Sequence, residues 1–257
     1  MLPSGTVAAP PLRLSRPWLI AAALAFAADL FLHLPVTDMF DALSARWGFR
    51  LYDRRVALSF AALAILAVLV VASRRQRWPL VLPATAGLVA LAVLAHQLLL
   101  VASIENIHYP QYALLAFLLG RSRLSFEASW LDATALGAVD EAHQYLFLHR
   151  GRPEYLDWND IVLNAIGAAF GIIALLLFSD ARSGVSLCAS RTAAAILLLV
   201  LAGALVLGPP ITVPFFHPTN PGGRYHVLSP FEAFVLIGSL WFGVRSVLER
   251  NRACQRV

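Results

Sequence analysis

The sequence predicts an all-α protein, a polytopic transmembrane helical bundle of about eight spans. Three observations lead there. Of the 257 residues, 59% are hydrophobic and 14% charged, whereas a soluble domain carries about 25% charged residues. The apolar residues are gathered in long runs, and about 20 of them in succession suffice to cross a bilayer as a helix. The basic groups are 20 arginines without a lysine, set between the runs. There they read as topology signals and not as a nucleic-acid surface. The two cysteines, Cys188 and Cys254, are far apart and in no metal-ligand spacing, so neither a zinc module nor a disulfide framework is indicated.

Eight hydrophobic segments cover residues 17–35, 56–73, 79–102, 108–120, 125–147, 159–178, 192–211 and 229–247. Segment 108–120 is short, and the count becomes seven if it does not cross. Arg13 and Arg16 precede the first run with no convincing cleavage site after it, so this segment reads as a retained helix and not a removed signal peptide. In loop 36–55, Phe40, Leu43, Trp47 and Leu51 recur at helical spacing, with Arg46, Arg50 and Arg54 on another face. That pattern predicts an amphipathic helix, lying in the bilayer interface or covering the bundle. Asp29 and His33 in the first segment, and His96 and Gln97 in the third, read first as helix–helix hydrogen bonds.

With eight spans, thirteen of the twenty arginines fall beside the termini and the even-numbered loops. The positive-inside rule then places both termini in the cytoplasm. Loop 148–158 and the turn from Glu105 to His108 face outward, as does a Pro/Gly-rich stretch around His217 and His226 that either lids the polar residues or merely connects. The chain divides into an N-terminal helix pair with its interfacial loop (1–79), a four-helix core (80–178) and a C-terminal helix pair (179–257).

Polar residues crowd into one stretch, from Asp140 to Gly171. Asp140, Glu141 and Gln144 share a stripe with Gly137 on one helix. On the next, Asp157, Asp160, Asn164, Gly167 and Gly171 are spaced 3, 4, 3 and 4, which is one helix face. Small residues allow two helices to approach closely, so Gly137, Gly167 and Gly171 predict a hairpin that packs these two faces together. Arg150 and Arg152, in the connecting loop, would sit over the carboxylates. Glu105, His108 and Tyr112 form a third polar face. Ionisable groups near a span are costly and mark a functional site by default, although a structural ion-pair network uses the same residue types.

At these residues the sequence resembles the VanZ-like family of bacterial membrane proteins, over about residues 80–178. The matching pieces are His108, Tyr112 and Leu115; Asp140, Glu141 and Gln144; the basic loop with Arg150; and Asp160, Asn164, Gly167 and Gly171. The chain departs from the family where FLHRGRP replaces a short Pro-Gly-Arg turn, and in the helix pairs added on either side of the core. The resemblance implies a multi-pass protein of the bacterial inner membrane. The family's founding member is associated with resistance to the glycopeptide teicoplanin.

The leading expectation is that Glu105, His108, Tyr112, Asp140, Glu141, Gln144, Arg150, Arg152, Asp157, Asp160 and Asn164 form an outward site. It would bind an envelope lipid or a peptidoglycan-type peptide, with the two arginines available for an anionic head group or a carboxylate. A membrane enzyme acting on a lipid-linked substrate would use Glu141 or His108 as its acid–base group. A proton-coupled transporter would draw on Asp29, His33 and His96. His108, Glu105, Glu141 and Asp160 are metal-ligand types, but no HExxH or comparable spacing is present, so the sequence calls for no metal and no cofactor. Neither an oligomeric state nor a nucleic-acid partner is indicated.

Overall fold

The computed structural model describes residues 15–73, 78–100, 102–122, 125–148, 156–178, 217–220 and 223–254. The first helix, α1 (Arg16–Trp47), carries a proline in its first turn, where a missing N–H leaves no bond unmade. It runs through Pro35 and stops at Gly48, whose φ of 80° is a conformation that residues with side chains rarely adopt. Helix α2 (Phe49–Ser73) starts at the next residue. Residues 36–55 are thus the end of α1 and the start of α2, which corrects the expectation of a separate amphipathic helix. One glycine turn suffices to join two long helices, and the aromatic and arginine stripes are shared between them. The Arg55 guanidinium spans the junction, 4.5 Å above the Trp47 ring.

Helix α3 (Trp78–Leu98) leads to a 3₁₀ turn (Ser103–Ile107) and then directly to α4 (His108–Arg121). Helix α5 (Phe126–His143) begins at an N-cap, where the Ser125 hydroxyl accepts from the Ala128 amide, and ends in a π turn (Gln144–Leu148). Helix α6 is Trp158–Phe178, and α7 is Pro230–Cys254. A short antiparallel ladder, β1 (His217–Asn220) with β2 (Gly223–Tyr225), lies in the Pro/Gly-rich stretch before α7. Ser229 and Glu232 cap α7 reciprocally: Glu232 accepts from the Ser229 amide at 2.8 Å, and the Ser229 hydroxyl accepts from the Glu232 amide at 3.3 Å.

Among the described residues the fold is helical, and five helices are long and apolar enough to cross a membrane: α1, α2, Val81–Leu98 of α3, α6, and Pro230–Asn251 of α7. The expected segment 192–211 lies outside the described residues. The segments at 108–120 and 125–147 are the helices α4 and α5, and neither meets that standard. Fourteen residues give α4 a length of about 21 Å, short of a hydrocarbon core about 30 Å thick. Helix α5 carries Glu127, Asp132, Asp140 and Glu141 within 18 residues.

Helix α6 is the centre. Buried side chains occur all round it, from Trp158 to Leu177, whereas α1 and α2 turn most of their apolar residues outward, with Phe31 80% exposed. Both α4 and α5 pack on α6. Trp130 of α5 is fully buried, and its indole N–H donates to the Ala165 carbonyl at 3.0 Å. The glycines fix how closely the helices approach. A Cβ added at Gly137 would meet the Asn164 side chain at 2.8 Å, as a close α5–α6 hairpin requires. At Gly167 and Gly171, however, an added Cβ would meet backbone of α4, at His108, Tyr109 and Ala113. The glycine end of the stripe therefore packs on α4 and not on α5, as the hairpin prediction had it. The 3–4 spacing defines a face of α6, and that face is wide enough to take two neighbours.

Candidate functional site

The packing of α4 and α5 on α6 brings three chain segments to one point. His108 is the first residue of α4, Asp140 and Glu141 lie in the last turn of α5, and Asp160 lies in the first turn of α6. Nε2 of His108 is 3.4 Å from Oδ2 of Asp160. One ligand-type atom each from His108, Glu141 and Asp160 lie within 4.8 Å of one another. Gln144, in the π turn, donates from Nε2 to Asp140 Oδ2 at 3.1 Å and to Glu141 Oε1 at 3.4 Å. It holds both carboxylates of α5 with one amide. The Tyr112 hydroxyl donates to Asp140 Oδ2 at 3.4 Å, and its ring stacks on His108.

Asp157 precedes α6 and caps it. Its Oδ1 accepts from the amides of Asn159 (2.9 Å) and Asp160 (3.4 Å), so the helix dipole also favours its charge. Burial, with the Asp160 carboxylate beside it, nevertheless pushes its carboxyl up to about 7. Five carboxylates, those of Asp29, Asp140, Glu141, Asp157 and Asp160, thus lie around one imidazole. His108 faces Asp29, Asp140, Asp157 and Asp160, and Glu141 lies within reach of it.

Several polar atoms here are buried without a hydrogen-bond partner: Asp140 Oδ1, His108 Nδ1, and both side-chain polar atoms of Asn164. Asp140 is 2% exposed and Asn164 0%. Each unmade bond of this kind costs about 1–3 kcal/mol, which an ordinary packing site would not carry.

A cavity of about 550 Å³ opens beside the cluster, between α1, the 3₁₀ turn and α4. Its polar wall includes Asp29, Glu105, His108, Gln111, Asp140 and Asp160, and its apolar wall includes Phe26, Leu32, Phe40 and Leu114. A larger cavity of about 870 Å³ lies between α3, α6 and α7. Its described walls are mostly leucine, isoleucine, valine and alanine, with Glu232 and His226 as the ionisable residues among them, so the chemistry belongs to the smaller one.

Of the expected site residues, the structure brings together His108, Tyr112, Asp140, Glu141, Gln144, Asp157 and Asp160. Asn164 lies a turn deeper on α6, against Gly137. Glu105 lines the cavity, but its Oε1 also accepts from the Ala102 amide at 3.2 Å, as a cap of the 3₁₀ turn. Arg150 and Arg152 lie outside the described residues. Two participants were not anticipated. Asp29, read from the sequence as a helix–helix hydrogen bond and not as a site residue, makes such a bond: its Oδ1 accepts from Gln111 Nε2 at 2.8 Å, and it faces His108 and Tyr112. Gln111 is one residue from Tyr112, and nothing in its own spacing marks it out. A third residue, Asn159, is structural. Its amide nitrogen donates to the carbonyls of Leu99 and His226, both at 2.8 Å, and its oxygen accepts from the Leu228 amide at 2.9 Å. It fastens the ends of α3, α6 and α7 together.

No protein-family model, curated protein or solved structure matches the chain.

Proposed function

We propose that this chain is a VanZ-like membrane protein of the bacterial cell envelope. In this reading it has about eight spans with both termini in the cytoplasm, and the site at the ends of α4, α5 and α6 faces outward. The site binds an envelope component, an amphipathic lipid or a lipid-linked peptidoglycan precursor, and a contribution to glycopeptide resistance would follow from that binding. Five helices among the described residues, each apolar enough to cross a membrane, support a multi-pass protein. The observation that carries the binding reading is the shape and lining of the 550 Å³ cavity. One wall is aromatic and aliphatic and the other is polar, which suits a ligand with an apolar stem and a polar head.

The test is native mass spectrometry of the protein in nanodiscs, incubated with a bacterial envelope lipid extract. A species retained by wild type and lost when the cavity is filled by Leu32→Trp is the expected result. Equal retention by both proteins would remove this reading. The juxtaposition of His108, Asp160 and Glu141 favours a second reading, a membrane enzyme acting on a lipid-linked substrate, with His108 or Glu141 as acid–base group. The same experiment separates the two, because an enzyme returns its ligand at a new mass.

A further inference from the structure

We propose that His108, Glu141 and Asp160 hold a divalent first-row transition cation, Zn²⁺ or Mn²⁺, with its remaining coordination positions turned to the 550 Å³ cavity. The argument begins with geometry. Ligand atoms about 2.1 Å from a tetrahedral ion are about 3.4 Å apart, and His108 Nε2 and Asp160 Oδ2 are 3.4 Å apart. The other separations in the trio do not exceed 4.8 Å, which a side-chain rotation brings into the same range. The donor set is one imidazole and two carboxylates, a mixture that suits zinc or manganese better than calcium.

The surroundings argue independently. Asp140 is 2% exposed, its Oδ1 has no hydrogen-bond partner, and it lines the same cavity as His108 and Asp160. Among the described residues, the carboxylates around His108 outnumber it, a charge excess that burial makes expensive, and an ion of charge two offsets much of it. Gln144, donating to both Asp140 and Glu141, acts as the outer-shell group that orients a ligating carboxylate. Since α4, α5 and α6 each supply a donor, the ion would also tie the three helices together. Its open positions would receive a phosphate or carboxylate from whatever enters the cavity. The inference does not rest on the envelope reading, because uptake of the metal alone decides it.

The competing account is an ion pair between protonated His108 and Asp160, with the other carboxylates neutral. The experiment uses the full chain in nanodiscs, without a polyhistidine tag, stripped with EDTA and then titrated with Co²⁺ and with Zn²⁺. Bound metal is counted by mass spectrometry, and the visible Co²⁺ bands report an imidazole ligand. The expected result is one equivalent in wild type, with affinity at least tenfold weaker in Glu141→Gln and in Asp160→Asn. The Co²⁺ bands should change in His108→Gln and persist in His143→Ala. Absence of a bound equivalent in wild type overturns the proposal, whatever the variants do. So does equal uptake by wild type, Glu141→Gln and Asp160→Asn. The wild-type measurement keeps the proposal refutable even if a variant fails to fold.

Discussion

Gly167→Ala tests the packing that assembles the site. A Cβ at Gly167 would stand 2.7 Å from the His108 carbonyl oxygen, 2.8 Å from that of Tyr109 and 3.0 Å from the Tyr109 Cα. All three atoms are backbone in the first turn of α4, so no side chain can swing aside. Ordinary contact begins near 3.4 Å, and α4 must therefore retreat by about 0.7 Å. A gap of that size forfeits about a quarter to a half of each dispersion contact along the seam. Alanine returns about 1 kcal/mol of helix propensity relative to glycine. Overpacking of a well-filled interface costs about 1–3 kcal/mol and occasionally more, and here the loosened α4–α6 seam adds to it. The expected net loss is about 1–3 kcal/mol. The same retreat carries His108 away from Asp160, now 3.4 Å distant. Equilibrium unfolding in mixed micelles measures the loss. Gly87→Ala on α3 is the control, because a Cβ there meets nothing within 4 Å; it should be neutral or stabilising. If Gly167→Ala matched Gly87→Ala in stability, the close α4–α6 approach would be wrong.

Two further outcomes follow from single residues. Asn159→Asp replaces the amide donor that serves the Leu99 and His226 carbonyls with an acceptor that repels both. It should cost at least as much as Asn159→Ala, about 2–4 kcal/mol for three buried hydrogen bonds; in the same unfolding assay, a milder effect of the aspartate would dismiss the clamp. Asp157 has its carboxyl pushed up to about 7 from an ordinary 3.8 by burial and by Asp160. The folded chain then holds that proton more tightly than the unfolded chain, so this contribution to stability is complete below the unfolded value and is lost as pH rises through about 7. Asp157→Asn keeps an oxygen to cap α6 and carries no charge. The melting temperature of wild type should fall relative to this variant between about pH 5 and pH 8, and parallel curves would remove the assignment.

What the sequence made legible, and what it did not, has one physical cause. Periodicity reports which residues share a face of a helix, and it did so for Asp157, Asp160, Asn164, Gly167 and Gly171, and for Asp140, Glu141 and Gln144. It does not report which neighbour that face meets. Gly167 and Gly171 could serve a close approach to either flanking helix, and the structure gives them to α4 while Asn164 goes to Gly137 of α5. Asp29 was legible as an isolated charge on an apolar helix, but its partner Gln111 lies 82 residues away, beyond any local pattern. The junction at Gly48 was misjudged for the opposite reason: the apolar and basic stripes of 36–55 look continuous in sequence, yet one residue at φ 80° divides them between two helices. The site follows the same logic. No donor pair among His108, Glu141 and Asp160 has a sequence spacing that announces a metal, because each comes from the end of a different helix. The glycines that let α4 close on α6 are therefore as much a part of the site as its polar side chains: that close approach is what sets His108 at 3.4 Å from Asp160.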